Sequence, residues 1–359
     1  MVVMLWFVGI DQVIDALKIA NIWLILLAII MQIINYFLYT VRWEIINRVA
    51  DIDFDFKKLF LIVMVGLGIN NITPSGRGGG EPVRAYLLSR ESKTPFEETF
   101  ATVIADRALD TLPFIVLAVL TIVGVIFYYP LSTWIVVALI VTVFLVICVV
   151  FLVIYMSVNE QFGEKVIGWG VWLVHKFSKN NPQKWEEKVT KGIIGFQETM
   201  RIMISDKRIM YYAMPISVLI WAMEIFRVYL IFLAFGATVS PIVIAEVFIL
   251  SCLIGFIPAL PGGLGVIDGT MILFFSTAGI PSSISAAATV IERLISYWMT
   301  TIIGMCLIPY FGSNILNNML NPGDEELNED FDNAINYMDK LEDSKSIEKA
   351  VENINRFKR

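Results

Sequence analysis

The chain has 359 residues, 57% of them apolar and 17% charged, with a formal net charge of −6 and a mean hydropathy of +0.73. Soluble domains carry charge on about a quarter of their residues, so these values exclude an ordinary water-soluble protein. The acidity is local: the 48 residues after Phe311 hold 11 Asp and Glu against 6 Lys and Arg, which leaves the body close to neutral, with no basic surface for nucleic acid.

Met1 to Ile10 is apolar but too short to cross a bilayer, and it lacks the basic start and cleavage site of a signal peptide. It reads either as part of a first helix or as an end segment at the interface. Spans are expected wherever about 20 apolar residues run together, enough for a hydrocarbon core about 30 Å thick. Trp23 to Val41, Leu112 to Tyr128, Trp134 to Tyr155, Tyr211 to Phe235 and Ile295 to Phe311 answer that description. They are apolar on every face, whereas a soluble core helix keeps a polar stripe.

Basic residues collect on the cytoplasmic side of membrane proteins. Arg42 to Lys58 carries four Lys and Arg and the long loop 157–208 carries nine, while the turns Tyr128–Thr133, Gly236–Pro241 and Thr277–Ser282 carry no charge. The basic loops and the tail 312–359 are therefore expected inside. Val166 to Phe177 mixes Trp169, Trp172 and Phe177 with nearby lysines, the makeup of a helix lying in the interface; a solvated connector is the alternative. The tail reads as amphipathic helices, Asp332 to Leu341 and Ser344 to Phe357, or as disorder. Cys148, Cys252 and Cys306 sit in apolar stretches without metal-ligand spacing. One histidine, His175, offers no basis for a metal site or a triad. No metal or cofactor is expected.

The most informative feature is a match of the chain to itself. At an offset of 187, Pro74, Gly76, Gly78 and Glu81 align with Pro261, Gly263, Gly265 and Asp268, and Ala101-Thr102-Val103-Ile104 recurs as Ala288-Thr289-Val290-Ile291. One residue later drops out, and Asp106-Arg107 aligns with Glu292-Arg293. The copies cover about 57–128 and 240–311. Three spans, at about 96–128, 131–156 and 209–235, separate the two glycine-broken segments and reverse the orientation, so the repeat is inverted, a plan shared by many transporters. Pro and clustered Gly break the backbone ladder, which hydrocarbon tolerates only where protein or a wet cavity satisfies it. The fold expected is an all-α polytopic membrane protein, an inverted-topology repeat with two Gly/Pro-broken re-entrant hairpins. Pro74, Gly76, Gly78, Pro261, Gly263 and Gly265 would form backbone gates.

Ionisable residues inside spans are expensive and point to function. They include Glu81, Arg84, Asp106, Arg107, Asp110, Glu224, Arg227, Glu246, Asp268, Glu292 and Arg293. Many acids and bases could simply neutralise one another. Against that, Arg77 and Arg84 look unpaired beside a glycine-rich loop, and guanidinium with free backbone amides makes an anion or phosphate site.

NITPSGRGGGEPVRAYLL, Ala105-Asp106-Arg107 and PALPGGLGVID resemble the lysylphosphatidylglycerol synthase transmembrane-region family, flippase-like multi-pass proteins. Arg42-Trp43 and Glu224 to Arg227 fit its pattern, and Asp268 stands where Glu is expected. The resemblance covers about residues 20–311. It implies movement of a lipid between leaflets, and the aminoacyl-transferase domain of synthase members is not in this sequence. The expected function is a flippase for an anionic phospholipid or a polyprenyl-phosphate-linked lipid in the cell membrane, with no enzymatic step. The substrate site would comprise Arg77, Glu81, Arg84, Asp106, Arg107, Asp110, Glu224, Arg227, Asp268, Glu292 and Arg293. The alternatives are a membrane subunit of a lipid-linked glycosyl- or aminoacyl-transferase, and a scaffold for a cytoplasmic partner.

Overall fold

A computed structural model describes residues 15, 17–73, 78–128, 133–177, 182–255 and 265–312. Met1 to Ile10, the tail helices, Arg77, and the gate residues Pro74, Gly76, Pro261 and Gly263 lie outside them. Among the described residues the chain is helical and has no strand. In chain order the helices are α1 (Ile22–Val49), α2 (Phe56–Ile72), α3 (Gly80–Ser92), α4 (Phe96–Tyr128), α5 (Thr133–Val158), α6 (Glu160–Phe177) and α7 (Pro182–Ser205). A π-helical turn, Ile209–Ala213, then leads into α8 (Met214–Ala234), followed by α9 (Pro241–Gly255), α10 (Val266–Thr277) and α11 (Ser282–Arg293). A second π-helical turn, Leu294–Met299, joins α11 to α12 (Thr300–Leu307). Among the described residues five helical stretches are long and apolar enough to cross a membrane: Ile22–Val49, Phe96–Phe127, Val136–Ser157, Ile209–Ala234 and Ser282–Phe311. Each overlaps one expected span.

Two expectations are corrected. Arg42 to Lys58 is not a charged loop: α1 continues to Val49, and Arg42 lies inside the protein with 1% of its surface exposed. It therefore cannot count as an inner-loop charge. The region 157–208 is not a continuous loop either: among its described residues 160–177 and 182–205 form α6 and α7, so a helix covers Val166 to Phe177 as expected and the connector alternative falls. Gln197 Nε2 donates to the Met156 carbonyl at 2.6 Å, and Phe196 is ringed against Phe100 of α4. Trp169 and Trp172 on α6 stay exposed. In the turn after α7, hydrogen bonds from Arg208 hold the Asp206 carboxyl below the usual carboxylate range.

The broken segments form helical hairpins. Lys58, in the first turn of α2, pairs with Glu91 near the end of α3 at 2.9 Å. At the other end Asn70 Oδ1 accepts from the Gly80 amide at 2.7 Å, and Asn70 Nδ2 donates to Glu81 at 3.1 Å. The two helices thus run antiparallel along their whole length, with their ends at one level. The chain ends of α2 are wired elsewhere too: Tyr297 O–H donates to the Asn71 carbonyl at 3.1 Å, and Asn71 Nδ2 donates to Thr301 at 3.0 Å. These bonds satisfy groups that a helix end leaves without partners. In the second hairpin Ile267 of α10 packs beside Gly255, the last residue of α9. Gly265, with φ +83°, makes the turn into α10, a conformation that favours glycine. Asp268 caps it by accepting from the Gly265 amide at 2.9 Å. The apolar core gathers α4, α8, α9, α10 and α11, whereas α5 buries little of its surface and presents Phe144, Leu145 and Phe151 outward.

Helix α2 touches α12 backbone to backbone at Gly68 and Gly304. A Cβ on Gly304 would strike the Met64 carbonyl and the Gly68 Cα, so neither helix can yield without moving. Gly304→Val should destabilise the detergent-solubilised protein by about 1–3 kcal/mol, the usual cost of overpacking. A thermal melt reads it. Gly168→Ala, which meets nothing within 4 Å, should leave the midpoint unchanged or slightly raised.

Candidate functional site

Neighbouring residues on a helix point about 100° apart, so Asp106 and Arg107 cannot share a partner, and neither can Glu292 and Arg293. The structure sends each to a different helix. Asp106 accepts from Arg42 Nε of α1 at 2.7 Å and from Arg84 Nη1 of α3 at 3.0 Å. Arg107 donates to Glu81 in the first turn of α3, and Asp110 accepts from Arg42 Nη1 at 2.8 Å. On the other side Glu292 accepts from Arg227 Nη2 of α8 at 3.0 Å, and Arg293 pairs with Asp268 in the first turn of α10 at 2.5 Å. Glu224 accepts from Arg227 at 2.6 Å and from Asn35 at 3.0 Å. The acid-Arg pairs read from the sequence thus find their closest partners on other helices, although Glu292 also lies 3.8 Å from Arg293 Nε.

A correction follows for Arg84. It is not unpaired: it is 3% exposed, bonded to Asp106, and stacked with its guanidinium carbon 4.2 Å from the Trp43 ring centre. Space for its stem comes from Gly66, where a Cβ would overlap Arg84 Cγ and Cδ. Trp43 is held in turn by its indole N–H donating to Thr102 at 3.1 Å. What Arg84 does retain is one edge: Nε and Nη2 are buried and bond nothing among the described residues, and the same holds for Arg293 Nη2.

These groups meet at one cavity of about 130 Å³, bordered by Arg84, Arg107, Arg293, Asp110 and Glu224. Of the expected site residues, Glu81, Asp268, Glu292 and Arg227 stand behind that wall as partners of the residues that form it. Gly78 and Gly265 are described, but at neither does any atom lie within 4 Å of where a Cβ would be. Glu246 belongs elsewhere, against Gly124.

The expected site omits Arg42, which the sequence placed in a loop and in the family pattern, and also Gln32 and Ser217. Arg42 Nη1 donates to Ser217 at 3.1 Å, and Arg227 Nη1 donates to Gln32. Helices α1 and α8 lie antiparallel, so each arginine reaches the residue ten positions before the other. The signal was present: Gln32, Tyr36 and Arg42 have the spacing of Ser217, Trp221 and Arg227, at an offset of 185. Tyr36 bonds Thr300 at 2.5 Å, and Trp221 packs on Phe114 with ring centres 5.0 Å apart, again matched places on the last span and α4.

The model of the lysylphosphatidylglycerol synthase TM region family matches residues 1–304, and the chain belongs to that family. It is 50% identical over 317 residues to a UPF0104 membrane protein of Methanothermobacter thermautotrophicus, covering 88% of this chain and 94% of the relative. A UPF0104 membrane protein of Pyrococcus horikoshii is 30% identical, with 85% of this chain and 92% of the relative covered. One from Methanocaldococcus jannaschii is 32% identical, with 83% and 88% covered. The chain is thus a multi-pass membrane protein of this family.

The two matched bridges should behave alike. Double-mutant cycles on Glu81→Gln with Arg107→Gln, and on Asp268→Asn with Arg293→Gln, should each return a coupling of about 0.5–3 kcal/mol in thermal or denaturant unfolding. The single variants should cost about 3–5 kcal/mol, because each strands a buried charge.

Proposed function

We propose that this protein moves a phosphate-bearing lipid, an anionic phospholipid or a polyprenyl-phosphate-linked lipid, between membrane leaflets without a covalent step. The observation that carries the reading is a cavity inside an ion-pair cluster, bordered by Arg84, Arg107 and Arg293, of which Arg84 and Arg293 keep buried donors with no partner among the described residues. Two parallel N–H donors on one arginine edge are matched to a phosphate. A space of about 130 Å³ has room for a few waters at about 30 Å³ each. It suits a headgroup, whose chains would remain in hydrocarbon.

In this reading residues 1–311 form the carrier and 312–359 a cytoplasmic tail outside it. The copies at about 57–128 and 240–311 enter the cell membrane from opposite sides, since three spans, α4 within the first copy and then α5 and α8, separate the two hairpins. Antiparallel α1 and α8, with reciprocal arginine contacts, support that inversion. Both hairpins are re-entrant: helices of 17 and 13 residues, and of 15 and 12, measure about 18–26 Å, short of the hydrocarbon core. Broken helices meeting at a central site between inverted halves are a recurring transporter plan. Arg77, Arg84, Arg107 and Arg293 neutralise the phosphate, and Glu81, Asp106, Asp268 and Glu292 position them. The glycine loops open alternately to the two sides.

Vesicles containing the purified protein and a trace of headgroup-intact, tail-labelled phospholipid test the activity. Labelled lipid in the inner leaflet should become accessible to a membrane-impermeant quencher faster than in protein-free vesicles, with its mass unchanged. A changed mass would move the conclusion to a transferase subunit. Topology has its own test. Cysteines at Ala237 and Ser282 should label from outside intact cells, and one at Ser178 only after permeabilisation. Outside labelling at Ser178 overturns the inversion.

A further inference from the structure

The internal match extends through most of the charged cluster, and its exceptions are few. Four arginines (Arg42, Arg107, Arg227, Arg293) and four carboxylates (Glu81, Asp106, Asp268, Glu292) occupy matched places in the two halves. They are paired in matched ways: Arg107 with Glu81 and Arg293 with Asp268, Arg42 with Asp106 and Arg227 with Glu292. As a set they are neutral, and none leaves more than one buried side-chain atom without a partner among the described residues (Glu81 Oε2, Arg227 Nε, Glu292 Oε2 and Arg293 Nη2), whereas Arg84 leaves two. Three further charges have no charged counterpart. Arg84 aligns with Met271, Asp110 with Ser296, and Glu224 with Tyr39. All three border the central cavity.

The exceptions also differ from the matched set in what they leave over. Arg84 spends Nη1 on Asp106 and keeps its Nε and Nη2 edge free and buried. Asp110 is bound by Arg42. Glu224 adds a negative charge without adding an arginine, because it shares Arg227 with Glu292, at 2.6 and 3.0 Å. Beside it, Asn35 Oδ1 is buried with no partner among the described residues. The described cluster therefore carries six carboxylates against five guanidiniums. A bare anion would enter a site that offers one good anion edge at Arg84 and a surplus of acceptors at Glu224.

We infer that the residues departing from the internal match read the cargo: Arg84 takes the phosphate, and Glu224 takes a hydrogen-bond donor on the same headgroup. The ligand class is a phosphate ester whose headgroup carries an N–H or O–H donor, an ammonium or a hydroxyl. Matched pairs suit a frame that both halves use equivalently. A headgroup has no twofold symmetry, so its distinct ends are met by residues that occur once. This inference rests on the lipid-carrier reading for its cargo, and binding can be measured apart from movement.

The test is a binding panel in detergent micelles with short-chain phospholipids, followed by ligand-induced thermal shift. Phosphatidylethanolamine offers an ammonium donor and phosphatidylglycerol hydroxyl donors, whereas phosphatidylcholine and phosphatidic acid place no N–H or alcohol O–H beyond the phosphate. At least one of the first two should bind about tenfold or more tightly than both of the others, the worth of one charge-assisted hydrogen bond. Which of the two it is distinguishes ammonium from hydroxyl. Glu224→Gln should erase that preference, Glu224→Asp should weaken it, and Arg84→Lys should weaken binding of every lipid. Thr142→Ala, on α5 away from the cavity, should change neither. Equal binding of all four lipids to the wild-type protein overturns the inference without recourse to any variant. So does a preference that survives Glu224→Gln. Discriminating binding without movement in vesicles would sink the carrier reading alone, and movement without discrimination would sink this one alone.

Discussion

A guanidinium buried in a membrane protein must find a carboxylate, and that need organises this structure. Taking either ion out of water costs several kcal/mol, and mutual attraction repays it only where geometry is good and the remaining donors are satisfied. Arg42 and Arg227 meet the demand at 1% exposure each by recruiting acids from other helices. The cluster's bonds therefore join different helices: α1 to α4 and α8 to α11, far apart in sequence, and α3 to α4 and α10 to α11, which are neighbours. In a bilayer, helices gain little from hydrophobic attraction to one another, so such bonds fix register where apolar contacts would permit sliding. The glycine contact of α2 with α12 does the same by shape.

The backbone yields where these arginines need freedom. Six residues after Arg107, Pro113 interrupts α4, and directly after Arg293 the helix widens into the π-helical turn Leu294–Met299. Proline removes a ladder bond, and a π-helical turn inserts a residue, a feature often found beside functional sites. Two chemically different devices stand at corresponding points of the two long helices. The second turn also brings Tyr297 against the end of α2, tying the last span to the first hairpin.

Much of this was legible in the sequence, and the failures have physical reasons. Spans were readable because hydrocarbon demands long apolar runs, and Glu81, Asp106 and their counterparts because charge in such runs is rare. Arg42 was misplaced because hydropathy cannot distinguish a span that ends from one that continues with a buried ion pair. Arg84 looked free because its partner, Asp106, lies 22 positions away on the returning helix. Gln32 and Ser217 carried no warning individually. Only the common spacing of Gln32-Tyr36-Arg42 and Ser217-Trp221-Arg227 marks them, and that spacing gains meaning once α1 and α8 are known to lie antiparallel. The partners inside each hairpin were more open to reading, since Gly/Pro breaks announce a reversal and reversals bring near residues together.

Gly66 shows how far the site's control extends beyond its charges. It bears no polar group and sits among apolar residues of α2, yet its missing side chain is the berth for the Arg84 stem. One methyl there would shift the guanidinium bodily, off the Trp43 ring or into the cavity, while every charge in the protein remained. The site can thus be retuned by a change that no inventory of ionisable residues would register. Among relatives, the identity of the residue at this position offers a simple way to sort those that keep the same arginine pose from those that have abandoned it.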